Sequence, residues 1–404
     1  MLSENAINYL VQPIVTRQEA INTYVLTKIA RSVREVGQIS VSDINKMKLL
    51  VEYGADIREM NAELAKMSDM QVKDIKNVIK TVAVRTNIDA KPLYDYRHKS
   101  FIPYERNTKL QQLVTTIGNR TAGTFENISN SKATGFLIRD LKNPNRLKFQ
   151  SIGDTYKSVM DEAIQSVATG GVDYRTAMRR TLKQLSDSGI RRLSWDSGYT
   201  QRLDTAVRRN LLEGVRAIQQ AVEDRLGEEI GADGKELSVH INSALDHEPF
   251  QGHQFPNSEY DKLQNGEDFM DVDGVIFTGV ERAIGMWNCR HIARSIIIGF
   301  SKPLYTPEEL QKFIDDNHKG ITLPDGRHLT MYDCTQMQRQ METKIRYAKD
   351  EQMTFEAAND MNSAKLARQK VIKYTKQYKK FSKQCGLPIQ KDRTSVTDYR
   401  TIKV

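Results

Sequence analysis

The sequence predicts an α+β protein that is mainly α, and three stretches carry the prediction. Leu203, Val207, Leu211, Val215, Ile218, Val222 and Leu226 recur on one helical stripe, the pattern of a long amphipathic helix. After the helix-breaking Gly231-Ala232-Asp233-Gly234, Leu237, Val239 and Ile241 alternate with Ser238, His240 and Asn242, which is the period of a half-buried strand. Further on, Thr306, Pro307 and Glu309 spell an N-cap, a first-turn proline and a capping-box partner, with Tyr305 and Leu310 as the staple. Helical N-terminal and middle sections are expected, then a small irregular β-containing module around 237–330, then a helical basic tail.

In chain order, Ile44, Met47, Leu50 and Val51, then Met60, Leu64 and Met67, fall at helical spacing. Ser68 with Gln71 reads as a capping box and Met67 with Val72 as its staple, so a fresh helix of about 15 residues is expected from Ser68 through Ile75, Val78 and Ile79. Pro92, Pro103, Pro144 and weak periodicity make 91–150 an irregular linker or helical connection, loosest over 91–105. A second helical section begins near Ile152. Between Ser243 and Gly299, Gly252, Gly266, Gly274, Gly279 and Gly285 punctuate short apolar pieces such as Val275 to Phe277, which suits a small sheet. Ile321 to Leu323 and His328 to Thr330, joined by Pro324-Asp325-Gly326, read as a hairpin. A polar helix follows from about Thr335, with Arg339, Glu342 and Arg346 spaced to pair along its surface. These readings divide the chain into a helical region 1–90, the connection 91–150, a core of helices plus β module 151–334, and C-terminal helices with the basic tail 335–404.

The 404 residues include 60 Lys+Arg, 51 Asp+Glu and 39% hydrophobic residues. That is too apolar for a disordered chain and too charged for a membrane protein. From Ala364 to Val404 there are 12 Lys+Arg against 2 Asp+Glu, so the tail holds the whole basic excess. Lys370, Lys373, Lys376, Lys379, Lys380 and Lys383 could neutralise phosphates, and Tyr374, Tyr378 and Phe381 could stack on bases. The same stretch also fits a packed helix whose docking face is Leu366, Val371, Tyr374, Tyr378 and Phe381 and whose lysines meet an acidic protein surface. Cys289, Cys334 and Cys385 have no paired spacing, and the start MLSENAINYLVQPIV lacks a basic n-region. Synthesis in a reducing cytoplasm, with no signal peptide and no membrane span, is expected.

Chemistry is concentrated in one region: His240, Asp246, His247 and His253, then Asn288-Cys289-Arg290-His291. Imidazoles and a thiolate are zinc donors, and His247, His253, Cys289 and His291 could close a tetrahedral site from two loops. No other cofactor is expected. A hydrogen-bonded polar cluster without metal uses the same residues. So does a catalytic arrangement with Cys289 as nucleophile, His247 or His291 as base and Asp246 as orienting group. The chain has no nucleotide P-loop, dinucleotide glycine motif, zinc-protease His-Glu-x-x-His or Gly-x-Ser-x-Gly, and no catalytic residues are assigned. Trp195 and Trp287 read as packing anchors, Cys334 and Cys385 as small buried hydrophobes, and His318 and His328 as solvent-facing, with His98 in a loop.

Several of these elements also carry a resemblance. Gly171-Val172-Asp173-Tyr174 with Ala177 to Leu185, Gly189-Ile190, Ser197-Gly198, Arg202 to Arg209 and Ser243-Ala244 belong to the set. So do His247 with Gln251-Gly252, Asn288 to His291, Gly299, Pro303, Tyr305, the Tyr332, Gln336, Arg339, Glu342, Arg346 series, and Gly386-Leu387 with Arg393. Together they resemble the tailed-phage minor capsid protein 2 family, related to the Mu F-like head morphogenesis proteins. The likeness covers most of the chain and is densest from about 170 to 350. Leu245-Asp246 stands where the family pattern has a further histidine and an Arg-Pro stretch, so a metal site needing that histidine is weakened. The resemblance implies a non-enzymatic, low-copy virion protein, in several copies per phage head near the portal vertex. Its implied partners are the portal protein, the major capsid protein and genomic DNA, with a role in procapsid assembly and in DNA packaging or ejection. The alternative reading is a zinc- or cysteine-dependent hydrolase carried in the virion.

Overall fold

The computed structural model describes residues 4–38, 43–130, 132–139, 146–169, 174–194, 197–286 and 289–400. The stripe at Ile44, Met47, Leu50 and Val51 and the staple residue Met67 have side chains outside the described set, and Trp195, Trp287, Asn288 and Gly171-Val172-Asp173 lie outside the described residues altogether. The architecture is α+β and mainly α.

Helix α1 (Glu4–Val36) buries Val11, Ile14, Val15, Val25, Ile29 and Val33, spaced at three and four residues so that one face turns to the core. Helix α2 (Asp43–Asp89) runs unbroken through Ser68. The expected helix start there is therefore corrected: Gln71 does not reach back as a capping partner but is buried, accepting a 2.8 Å hydrogen bond from Gln18 of α1. Helix α3 (Lys91–Tyr96) carries Pro92 in its first turn. Helix α4 (Thr108–Ile128) is capped by the Asn107 side chain, which accepts from Leu110 N.

The linker or helical connection thus contains a 21-residue helix. Threonines and glycines give α4 poor intrinsic propensity, and burial of Leu110, Val114, Ile117, Phe125 and Ile128 supplies what propensity lacks. The same stretch holds β1 (Thr134–Arg139) and β2 (Leu147–Ser151), paired antiparallel with Gly135 opposite Ser151. After α5 (Ile152–Thr169) and α6 (Tyr174–Ser188), β3 (Arg191–Leu193) and β4 (Thr200–Arg202) complete a sheet of order β2-β1-β3-β4. This sheet lies outside the module where strands were expected. β3 and β4 are three-residue strands of Arg, Thr and Gln with Leu193 as their one apolar residue. β1 is a continuous Phe136–Ile138 run and β2 alternates over only two apolar residues, so no strand carries a long alternating signature.

Helix α7 (Leu203–Ile230) is the long helix the stripe predicts, and all seven stripe residues are buried. It packs against α1, α2 and α4. At Gly214 a methyl group would come within 2.5 Å of Thr121 on α4, so the two backbones approach closely because no side chain intervenes. Gly231 ends α7 in the left-handed conformation. The next strand is displaced from its expected place: β5 covers Gly234–Leu237 and the chain leaves the sheet at Ser238, leaving Ile241 71% exposed and Asn242 at φ +60°. The apolar alternation beyond Leu237 therefore does not mark a strand.

Strand β6 (Gln254–Pro256) pairs with one edge of β5; α8 (Asn257–Asn265), β7 (Phe269–Met270) and β8 (Ile276–Phe277) follow, and β9 (Ala293–Ile296) takes the other edge, for the order β6-β5-β9. Phe250, Phe255, Phe269 and Phe277 form its aromatic core with edge-on contacts at 5.3–6.3 Å. Helix α9 (Pro307–Lys319) has the predicted Thr306–Glu309 capping box, while Tyr305 meets Phe313 edge-on at 5.4 Å. The hairpin of β10 (Ile321–Thr322) and β11 (His328–Leu329) is as expected.

Helix α10 (Met331–Ala357) starts earlier than predicted, capped by Thr330 with Asp333. Its Arg339, Glu342, Arg346 series is not a surface ladder, and that expectation is corrected. Glu342 is buried and accepts from Tyr378 Oη at 3.2 Å, and Arg346 turns inward to Glu19 of α1 and Asp204 of α7. Helix α11 (Met361–Gln384) lies along α10, and α12 (Lys391–Thr394) is the last helix among the described residues. One main core draws on residues from Val11 to Ala364.

Candidate functional site

Two features remain after the scaffold is accounted for, and the first is a cluster in the β5–β9 module. Glu223 of α7 accepts from Ser295 N at 3.1 Å, and Gln220 exchanges hydrogen bonds with Ala293 N and O at 3.0 and 3.2 Å. Two side chains of α7 thereby satisfy the open edge of β9, which would otherwise present unpaired backbone groups. Cys289 and His291 immediately precede β9, and His247 sits in the loop between β5 and β6. That loop is fastened from α9, where Asn317 Nδ2 donates to Ser243 O and to Glu248, and His318 Nε2 lies 2.7 Å from Glu248.

One ligand atom each from His247, Cys289 and His291 lie within 4.8 Å of one another, and the three residues are 1%, 4% and 5% exposed. The tautomers follow from the partners. His247 Nε2 is 2.6 Å from the Arg282 carbonyl, which can only accept, so Nε2 carries the proton and Nδ1 keeps its lone pair. Gln251 Oε1 accepts from His240 N at 2.9 Å, which fixes the amide orientation, and the same oxygen lies 3.3 Å from His291 Nε2. His291 is therefore also protonated on Nε2, and its Nδ1 faces Cys289 Sγ at 3.5 Å. His247 Nδ1 is buried with no hydrogen-bond partner.

Burial, with the nearby charges of His240, His247 and Arg282, pushes His291 well below its ordinary value, so it is neutral. Burial would raise the Cys289 thiol, but the neighbouring His247 imidazole and backbone hydrogen bonds at Gly285 and His291 bring it below its usual range. Burial would lower His247, but Cys289, the Arg282 carbonyl and Asp246 raise it.

The fourth predicted donor is elsewhere. His253 Nδ1 is paired with Asp271 at 2.7 Å, and among the described residues the cluster consists of the other three. Asp246 does not orient His247 as a catalytic acid would; its two oxygens take a two-pronged contact from Arg282 at 2.7 Å each, and Oδ2 stands 3.8 Å from His247 Nε2. Gln251 and Arg282 are the residues that reading the sequence for donors missed. Gln251 appears only within the resemblance, and Arg282 acts through its backbone carbonyl, which leaves no side-chain signal.

The second feature is the outer face of α11. Lys373, Lys376, Lys379, Lys380 and Lys383 are exposed there, together with Lys365, and the helix contains no Asp or Glu. Lys370 differs, being paired with Glu351 at 2.7 Å. Tyr378 and Phe381 are buried and Tyr374 is half-buried, so two of the three rings expected to stack on bases face the interior instead. Cys334 and Cys385 are buried beside Phe381, as small apolar side chains would be. Among the described residues no helix is long and apolar enough to cross a membrane.

Three nearly enclosed donors and a helix whose outer surface is rich in lysine suit a protein that holds a shape and meets partners, the structural class. The phage minor capsid protein 2 family model matches residues 2–383, and the chain belongs to that family. It is a structural protein of the phage head and a component of the virion. No curated protein and no solved structure matches the chain.

Proposed function

We propose that this protein sits near the portal vertex, bound to the portal protein and the major capsid shell, and serves procapsid assembly and the packaging or ejection of DNA. The exposed lysine face of α11 supports the DNA part of this reading: five of the six predicted lysines point outward on a helix without a carboxylate. With Tyr378 and Phe381 buried, contact runs through ammonium groups and backbone phosphates, not through stacked bases, and is independent of sequence.

The test is binding of the purified full chain to duplex DNA across a salt series. About five phosphate contacts give a slope of log K against log salt of roughly −4 to −5, reduced by about 1 for each lysine replaced by glutamine. Affinity for an acidic head protein with none for DNA would move the same face to a protein partner. Particles that assemble, package and infect normally without this chain would overturn the reading as a whole.

A further inference from the structure

We infer that His247, Cys289 and His291 bind one zinc-class divalent cation through His247 Nδ1, Cys289 Sγ and His291 Nδ1, leaving one coordination position for water. The inference is independent of the portal and DNA reading. It rests first on where the protons are. Both imidazoles spend Nε2–H on a fixed oxygen, the Arg282 carbonyl at 2.6 Å and Gln251 Oε1 at 3.3 Å. That is how metal-binding histidines are oriented, the distal N–H held by a carbonyl or amide so that the other nitrogen is free to coordinate.

The second ground is the orphaned atom. His247 Nδ1 has neither water access nor a hydrogen-bond partner, although leaving a buried polar nitrogen unmatched is destabilising. A cation between the three donors removes that cost. The donor set, two imidazoles and one thiol, selects a borderline-soft cation over magnesium or calcium, which require oxygen. On binding, the Cys289 thiol releases its proton to solvent and the cation takes its place. Gln251 becomes a positioning residue, since its amide oxygen joins His291 Nε2 to His240 N. Gly252 beside it is at φ +80°, where a Cβ would meet Val239 Cγ2 at 2.8 Å, so the Gln-Gly pair fixes the loop as well as the ligand.

The experiment is titration of the full-length, chelator-treated chain with Co(II), followed by the thiolate-to-cobalt charge-transfer band. One equivalent per chain, displaced by Zn(II), is expected. The band disappears in Cys289→Ser and persists in His253→Ala and in the Cys334→Ser, Cys385→Ser double variant. Gln251→Ala keeps the band and weakens affinity about 10–100-fold, a readout available if Cys289→Ser does not fold. A folded wild-type chain without the band, a band surviving Cys289→Ser, or unchanged affinity in Gln251→Ala overturns the inference.

Discussion

Arg346, in the middle of α10, donates to Asp204 in the first turn of α7, joining positions 142 residues apart. Around this contact Arg346 also reaches Glu19 at 3.0 Å, Arg202 reaches Asp204 at 3.0 Å and Asp350 at 3.5 Å, and Asn22 holds Asp350 at 3.1 Å. Arg202 lies over the Tyr347 ring, 4.8 Å from its centroid. Two guanidiniums and three carboxyls thus tie α1, α7 and α10 together inside the molecule.

Removing one member leaves the others buried without compensation. Arg346→Met is expected to lower stability by about 3–5 kcal/mol, measured by denaturant unfolding. In a double-mutant cycle with Asp204→Asn the two losses should be far from additive. Additive losses would show that the contact carries no coupling.

Stability should fall as pH rises from about 5 to about 8. Burial pushes Glu19 and Glu223 up to about 7 and Asp350 up to about 6, against ordinary values of 4.5 and 3.8. Between the ordinary and the raised values the folded chain keeps protons that the unfolded chain has released, so the folded state loses ground through that window. Asp204 works the other way. Burial would raise it, but Arg346 and Arg202 hold it low, so its contribution is present above pH 3.8 and is lost only as pH falls through its lowered folded value. Glu223, facing Arg294 and Lys235, is the cleanest probe. Glu223→Gln should gain up to about 3 kcal/mol at about pH 8 and little at about pH 5, read as a flatter profile of Tm against pH.

Gly252→Ala is expected to cost about 1–3 kcal/mol by overpacking. The added methyl group overlaps Leu310 Cδ2 and Val239 Cγ2 at a backbone φ of +80°. Combining it with Leu310→Ala should recover part of the steric loss and none of the backbone strain. Full recovery in urea unfolding would assign the whole effect to sterics.

Tyr378 bridges three elements, donating to Glu342 Oε1 on α10 and accepting from Gln390 N ahead of α12 at 2.9 Å. Tyr378→Phe leaves a buried carboxyl and a backbone N–H without their partner and should cost about 1–3 kcal/mol. The m-value should stay constant, because the residue acts on the folded state.

What could be read from the sequence depends on how far apart the interacting residues are. The Thr306–Glu309 cap and the stripe from Leu203 to Leu226 are local patterns, and both appear as written. Ser68–Gln71 has the same local form but fails because Gln71 finds Gln18, 53 residues earlier. Arg339, Glu342 and Arg346 look like a solvated ladder until Glu19, Asp204 and Tyr378 are brought beside them. In the Cys/His cluster the donor types were legible and His247, Cys289 and His291 do meet, whereas the loop turns His253 toward Asp271. Nothing in residue type or spacing separates those two histidines.

The Asn22–Asp350 contact spans 328 residues, and this sets a timetable for the ribosome. At about 5–20 residues per second, α1 emerges roughly 15–65 s before its partner on α10 exists. Throughout that interval the apolar stripe from Val11 to Val33 has only part of its eventual cover. The α1–α10 contact therefore closes only after Asp350 has left the ribosome, and α1 waits for it against the partners already made.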